Sequence, residues 1–392
     1  MASTIPVKRN TKGIWYSRIY LGKDSAGRKI QKQKSFPEAE TEAEARLAAA
    51  EWAASLTAGG KVQSMRLSDL LGEYIDMREL NGASPNSVKQ WRCFKRAYID
   101  GKIGTVNATE LTALDFTRFL GATMRCGGRH GGRLSANTVN ALYQFLVGAY
   151  RYFAGVGLVP SNPLADTAKP HREQAEATFL DEADVDKLND YIDPIVMLVR
   201  NVPDSEFRGA LAVWIALHTG LRIGEVCALR PKDINIGRMY VHVGGTVIEP
   251  ENGEPFRREK PKSTRGRRNV SIVETEAETL AAVLKDMAAE HRWATPTAPI
   301  ISIDGTWTRP STVSSWFSRL VRKLSINPKA TMHTLRHTHA SWCIANGVDY
   351  VTLSERLGHS SPVMTMRVYG HLMEGRDRAA AEAFNRALRG GD

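Results

Sequence analysis

The sequence predicts a multidomain α+β chain: a small basic three-stranded sheet plus a helix, then a helical domain, then a mainly helical domain with a small antiparallel sheet. Three observations lead there. The chain opens on a basic, β-branched and aromatic stretch with a turn at its centre. Helical stripes without strand alternation follow. In the last part, helical patterns alternate irregularly with three short β-branched segments, an order that gives α+β rather than a parallel sheet. At 392 residues the chain suits two or three domains. The divisions fall at 1–64, 65–170 and 171–392.

Between Lys8 and Lys34 the first region carries Lys8, Arg9, Lys12, Arg18, Lys23, Arg28, Lys29, Lys32 and Lys34 against the single acid Asp24. Residues 14–20 and 30–36 read as strands, and Gly22 to Gly27 as the turn between them. The Ala/Glu-rich segment 38–56 reads as a helix. A sheet with one basic face, with Trp15, Tyr16 and Tyr20 among the bases, suits a polyanion, although a solvated basic hairpin without a partner has the same composition.

In the second region Leu67, Leu70, Leu71, Tyr74 and Ile75 form a helical stripe. Ser84-Pro85 starts another helix, and Thr109 is expected to cap a third that contains Leu111, Leu114, Phe116 and Phe119. Asn137 opens a long helix that ends at Gly155 and Gly157. Val159-Pro160-Ser161-Asn162-Pro163 stops it, and 165–177 reads as a linker. In the third region helical patterns cover 181–191, 205–219, 274–291, 310–324, 331–346 and 350–358. Residues 239–243, 245–249 and 269–273 read as strands.

Composition narrows the function classes. The longest apolar stretch, Ala210 to Leu217, is too short to span a bilayer. The first residues lack the apolar core of a signal peptide, so the expectation is a cytoplasmic protein with no membrane partner. Four cysteines without a C-x-x-C pair indicate neither a zinc knuckle nor a redox motif, and mostly buried free thiols are expected. A formal charge of +11 favours a polyanionic partner, because Lys and Arg that neutralise phosphates release counterions.

Five motifs in the third region carry the chemistry. In Thr219-Gly220-Leu221-Arg222-Ile223-Gly224-Glu225, Arg222 falls in the first turn of a helix and Glu225 on the same face. An arginine there opposes the helix dipole, which a docking anion would relieve, or it makes an ordinary ion pair. The run from Glu259 to Val270, with Lys260, Lys262, Arg265, Arg267 and Arg268, suits phosphate contact or plain solvation. In His333-Thr334-Leu335-Arg336-His337-Thr338-His339, His333 and Arg336 share a face. His333 and His337 also have the spacing of helix-borne zinc ligands, but Thr334 stands where a metalloprotease has Glu. The series closes on Leu357-Gly358-His359-Ser360-Ser361 and Val368-Tyr369-Gly370-His371.

Taken in order, T-G-L-R-I-G-E, P-K-S-T-R-G-R-R-N-V, H-T-L-R-H-T, L-G-H-S-S and V-Y-G-H closely resemble the tyrosine recombinases, in their lambda-integrase-like phage-integrase branch. The likeness spans the third region. In the second it rests on helical character and the V-P-S-N-P stop, and in the first on a basic sheet similar to the arm-binding domains of some integrases. Gly266 stands where family members often have Ser.

The resemblance implies a site-specific DNA recombinase that cleaves and rejoins DNA through a 3′-phosphotyrosyl intermediate and a Holliday junction, to integrate and excise a mobile element or phage genome. Tyr369 is the implied nucleophile. Arg222, Arg336 and His359 hold the phosphate, His333 accepts or relays the tyrosine proton, and Lys262 is the general acid, with Glu225 behind them. Arg265, Arg267, Arg268, Lys29, Lys32 and Lys34 are candidate DNA-binding residues. No metal and no cofactor is implied. The implied partners are double-stranded DNA at core and arm-type sites, three further copies of the chain in a tetramer, a DNA-bending host factor and a directionality factor, in the nucleoid of a bacterial cell. The implied domain roles are arm-type DNA binding for 1–64, core binding for 65–170 and catalysis for 171–392. A chromosome- or plasmid-dimer resolvase of the same chemistry and a catalytically inactive DNA-binding regulator are the alternatives, with a type IB topoisomerase further off.

Overall fold

The computed structural model describes residues 7–9, 13–23, 29–59, 66–170, 178–198, 202–251, 253–259, 266–291, 294–370 and 381–382, 384–385 and 388. They form two compact units: residues 1–74 with 94–170, and residues 75–93 with 171–392. No helix among the described residues is long and apolar enough to cross a membrane.

The first unit begins with an antiparallel sheet of β1 (Val7–Arg9), β2 (Trp15–Lys23) and β3 (Lys29–Phe36), in that order. β2 and β3 pair from Trp15↔Phe36 to Lys23↔Lys29. Helix α1 (Glu42–Gly59) packs on the sheet and buries Phe36, Ala45 and Ala49. It starts four residues later than the Ala/Glu composition suggests, because Phe36 to Glu40 turn first.

Then come α2 (Leu67–Leu80), α3 (Pro85–Phe94), α4 (Ala113–Cys126) and α5 (Ala136–Gly155). The cap of α4 is Thr112, not Thr109. Thr112 and Asp115 form a reciprocal capping box, whereas Thr109 bonds to Asn107 two residues back. Ser135 caps α5, which buries Leu142, Leu146, Tyr150 and Phe153, and Tyr150 donates to the Ala108 carbonyl at 3.1 Å. α5 ends at Gly155, before the Val159 to Pro163 segment, and Pro163 starts a 3-10 turn.

The second unit is built on α6 (Glu182–Leu198), α7 (Asp204–Thr219) and α8 (Ile223–Val226). In α7 the stretch 210–217 is apolar all round, and residues 210–216 are at most 3% exposed. That pattern belongs to a helix surrounded by others. Strands β4 (Ile234–Asn235), β5 (Tyr240–Val243) and β8 (Arg268–Ser271) form one antiparallel sheet in the order β4-β5-β8. Its register places Val241 opposite Val270, both buried, with His242 and Asn269 bonded on the outer face at 2.8 Å. Strands β6 (Thr246–Ile248) and β7 (Phe256–Arg258) make a separate hairpin. β4 and β7 carry too few residues for an alternation to be read.

Helices α9 (Glu274–Glu290), α10 (Pro310–Leu324), α11 (Met332–Ala345), α12 (Tyr350–Leu357) and α13 (Pro362–Tyr369) complete the unit. α13 lies outside the predicted helical patterns because Val363, Met364 and Met366 are more than half exposed and break the stripe. Cys93 and Cys126 are exposed, Cys227 is buried and Cys343 half-buried. All four thiols are free, but fewer are buried than expected.

Candidate active site

The chain after Thr219 turns sharply because Gly220 takes a left-handed conformation (φ +67°) at the end of α7. A Cβ on Gly220 would lie 2.8 Å from the His339 ring and 2.9 Å from Leu357. The turn delivers Arg222 to the N-cap position of the short α8, just before the first helical residue rather than within the first turn.

Glu225 in α8 holds two arginines. Its carboxylate accepts from the Arg222 backbone N–H and Nη1, both at 3.0 Å. It accepts also from Arg268 Nη1 and Nη2 at 3.2 and 2.9 Å, a two-pronged ion pair with both side chains at most 9% exposed. Burial alone would raise the Glu225 pKa. The hydrogen bonds and charges of Arg268 and Arg222 outweigh it, so the carboxyl titrates below its ordinary value.

Arg268 departs from expectation. Its register opposite Val243 turns it inward onto Glu225, not outward as a DNA-binding side chain. Arg267 is exposed and donates to the Glu259 carbonyl at 3.3 Å. Lys262 and Arg265 lie outside the described residues. Lys29 and Lys32 occupy β3 opposite Lys23 and Ile19, but their side chains are outside the described part, and Lys34 lies with Nζ 5.8 Å from the Phe36 ring.

Helix α12 gathers the arginines. It ends on Gly358 (φ +65°), whose N–H donates to the Glu355 carbonyl while the His359 N–H donates to the Ser354 carbonyl. Those bonds leave the following carbonyls without helical partners, and arginines supply them. Arg268 Nε donates to the Arg356 carbonyl at 2.6 Å and Arg336 Nη2 to the Leu357 carbonyl at 2.7 Å. Arg222 Nη2 donates to the Gly358 carbonyl at 3.3 Å. The negative end of the helix dipole thus faces three guanidiniums, which offsets part of their mutual repulsion.

Arg336 is 2% exposed, and its Nη1 donates to the Gly220 carbonyl at 2.7 Å. Burial first, then the Arg222 charge, lowers its pKa, to about 9, which leaves it cationic at neutral pH. An anion between Arg222 and Arg336 would relieve that strain.

The left-handed Gly358 also aims His359 into a cavity of about 510 Å³ that Arg222, Arg258, Gly266 and Ser360 help to line. His359 Nδ1 lies 2.8 Å from the buried Thr365 hydroxyl on α13. Burial, then Arg336 and Arg222, lowers the His359 pKa to about 3, so the ring is neutral. In the tautomer where Nδ1 accepts from Thr365, the ring proton sits on Nε2 and can be given to an anion.

Tyr369 ends α13 and is 2% exposed, packed among Ala340, Ile344, Leu353 and Leu357. Its hydroxyl lies 2.5 Å from His337 Nδ1. Burial raises the phenol pKa to about 12, against the pull of Arg336. His333 packs edge-to-face on His337, with ring centroids 4.6 Å apart. His337 is the site residue that sequence reasoning missed. Its i, i+4 relation to His333 was legible, but only as a metal spacing. Among the described residues no three His, Cys, Asp or Glu side chains gather as a metal site.

His339 and Arg356 lie behind the site. Arg356 Nε donates to His339 Nε2 at 2.9 Å, and His339 Nδ1 donates to the Leu217 carbonyl at 2.9 Å, tying α12, α11 and α7 together.

The chain is similar to known proteins to different extents. The chain is 26% identical over 182 residues to the integrase of Staphylococcus phage L54a, and 30% identical over 183 residues to the ICEBs1 integrase of Bacillus subtilis. These alignments take in 45% and 44% of this chain, and 51% and 48% of the relatives, so the chain spans about half the length of either. Tyrosine recombinase XerA of Pyrococcus furiosus is 26% identical over 323 residues, covering 80% of this chain and 94% of the relative. Among solved structures, the Tn1549 transposon integrase in complex with transposon right-end DNA superposes with a TM-score of 0.64 at 22% identity, over 82% of this chain and 100% of that one. A lambda integrase tetramer bound to a Holliday junction superposes with a TM-score of 0.53 at 18% identity, over 94% and 96%. Both show the fold, including its small sheets and helical bulk. Residues 178–376, just over half of the chain and the stretch that holds Arg222, Glu225, Arg336, His359 and Tyr369, match the model of the phage integrase family, and the chain belongs to that family.

Proposed function

We propose that the protein is a site-specific DNA recombinase, an integrase that cleaves and rejoins DNA through a 3′-phosphotyrosyl intermediate and a Holliday junction to integrate and excise a mobile element. The observation that carries this reading is the meeting of Arg222, Arg336 and His359 around the end of α12, with a tyrosine on the next helix. A phosphodiester repels nucleophiles with its own charge, and two guanidiniums and an imidazole N–H are the donors that offset the charge growing on its oxygens.

In the proposed reaction Tyr369 Oη bonds to phosphorus and the P–O5′ bond breaks. Arg222 and Arg336 hold the non-bridging oxygens, and His359 donates from Nε2. Lys262 protonates the leaving 5′ oxygen. Glu225 orients Arg222, with Arg268 as its counterweight. Tyr369 is 2% exposed, so the bound DNA backbone has to open the protein around its hydroxyl. The phosphotyrosyl ester retains the free energy of the broken bond, so rejoining needs no nucleotide. The partners proposed are double-stranded DNA at core and arm-type sites, a tetramer on DNA, and a DNA-bending host factor with a directionality factor. Residues 1–64 would bind arm sites and 65–170 core sites, and Arg267 and Lys34 are the described candidates for backbone contact.

The test is a nicked suicide duplex carrying the junction sequence beside the gene. Wild-type protein is expected to become covalently joined to it, and Tyr369→Phe to retard the duplex without joining it. Covalent joining by the Phe variant would move the nucleophile elsewhere; retardation without joining by the wild type would make the protein a binder rather than an enzyme.

A further inference from the structure

A phenol is a poor nucleophile until its proton leaves, and neither arginine of the site can accept one. The side chain that touches the Tyr369 hydroxyl is His337, with Nδ1 at 2.5 Å. The tyrosine is fixed from its backbone as well, since Tyr350 Oη donates to the Tyr369 carbonyl at 3.4 Å. α11 brings His333, Arg336 and His337 to one face by their i, i+3 and i+4 spacing. From that face Arg336 reaches the carbonyls of Gly220 and Leu357, while His337 reaches α13. One helical turn thus presents both a phosphate donor and a contact to the nucleophile's proton.

We infer that His337 is the catalytic base: its Nδ1 takes the phenol proton as Tyr369 Oη bonds to phosphorus, and returns it when the DNA is rejoined. This rests on the recombinase reading of the site. The step balances: Oη–H breaks as Oη–P forms, the electron pair of P–O5′ leaves with the 5′ oxygen, and the imidazolium formed on His337 holds the proton until the reverse attack.

The charges around the ring keep it in the unprotonated form that can accept a proton. His333 and Arg336 on its own helix, Tyr369 on α13 and His359 beyond α12 face it, and each is neutral or cationic. Burial first, then His333 and Arg336, lowers the His337 pKa to about 4, so the ring is neutral at physiological pH and keeps a lone pair for the phenol. A phosphodiester entering between Arg222 and Arg336 adds negative charge to this cationic pocket and makes the imidazolium easier to form. His333, edge-to-face on His337, is then a neighbour that tunes the base.

The experiment is single-turnover cleavage of the same junction suicide duplex at saturating protein, across pH, for the wild type, His337→Ala, His337→Gln and His333→Ala, with Tyr369→Phe as the blank. Gln can bond to the phenol but cannot take its proton, so Ala and Gln are both expected to slow cleavage by about 100-fold or more near neutral pH. Their rates should climb with rising pH, as ionisation of the phenol replaces the base, and free imidazole should partly restore His337→Ala. Thermal melting and DNA retardation guard against misfolding. In the free protein, the ¹⁵N spectrum should show His337 neutral with its proton on Nε2.

A defect of the same factor at every pH, a defect below about threefold, or an Nδ1–H tautomer would overturn the inference. So would transfer of the whole pH signature to His333→Ala. If the wild type joins DNA and Tyr369→Phe does not, while His337→Ala behaves as the wild type, this inference fails alone. If the wild type joins no DNA, the recombinase reading fails with it.

Discussion

Arg336 is fixed by the structure and, in the proposed reaction, also serves the chemistry. Two of its N–H groups are committed to the Gly220 and Leu357 carbonyls, so it is pre-positioned before any phosphate arrives. Arg336→Lys keeps the charge but cannot reproduce the planar fork. It is expected to lower the cleavage rate by about 100- to 1,000-fold with DNA retardation preserved, and a loss of less than about tenfold would remove it from the phosphate clamp. The half-buried histidines set the response to acid. His337 and His339 have pKa values of about 4 and His359 of about 3, below the unfolded value of about 6.5. Between those limits the unfolded chain binds protons that the folded chain refuses, so stability falls as pH drops from about 6.5 towards 4. Each such histidine contributes up to roughly 1.4 kcal/mol per pH unit in that window. Glu225, with its pKa lowered, contributes stability present above its unfolded value and lost only at more acid pH. Denaturant titrations at pH 7, 6 and 5 should show progressive loss, and His339→Gln should flatten the slope. An unchanged slope would mean the histidines are not held neutral.

At the scale of elements, two left-handed glycines decide the geometry. Gly220 ends α7 and offers its carbonyl to Arg336; Gly358 ends α12, offers its carbonyl to Arg222 and aims His359. Gly220→Ala faces both a left-handed backbone and contacts of 2.8 and 2.9 Å to His339 and Leu357. The expected destabilisation is about 1–3 kcal/mol from the backbone alone, more with the clash. It should appear as a lower denaturation midpoint, accompanied by loss of cleavage. A midpoint equal to wild type would mean the α7–α8 turn relaxes freely. The helices themselves were legible where one face is apolar: α10 runs from Pro310 to Leu324 as its stripe predicts, with Val313, Phe317, Leu320 and Val321 buried. α13 was not, because its exposed Val363, Met364 and Met366 remove the contrast between faces.

At the scale of the whole molecule, the formal charge of +11 and the nine bases before residue 35 suit the proposed reading in which DNA is held at more than one place. Residues 1–64 would tether a second site and raise its local concentration rather than add contacts to the active site. A fragment that starts at Arg66 is therefore expected to join suicide duplexes at near wild-type rate yet fail to integrate full attachment sites. The piece 1–64 alone should bind DNA with an affinity that falls steeply as salt rises. Full integration by the fragment would make the first domain dispensable and favour a resolvase-like role. α3 groups with the C-terminal unit, where Lys89 lies 3.8 Å from Glu249 and Arg92 4.0 Å from Glu251. A cut at residue 65 falls inside the first compact unit but leaves Lys89, Arg92 and both glutamates in the fragment.

What the sequence determined by itself was local: where glycine must turn the chain after α7 and α12, which stripes make helices, and which arginines, histidines and tyrosine stand in an order shared with the tyrosine recombinases. Backbone propensity, period and short motifs act over a few residues, so they are written in the order of the residues. What only the tertiary structure decided is which side chain each of these meets. Arg268 lies 43 residues from Glu225, and its inward turn depends on the β5–β8 register. His337 lies 32 residues from Tyr369, and their contact depends on how α11, α12 and α13 pack around Leu353 and Leu357. No local spacing encodes such a meeting, because the choice among hydrogen-bond partners is made by whatever packing brings within 3 Å after the chain has closed.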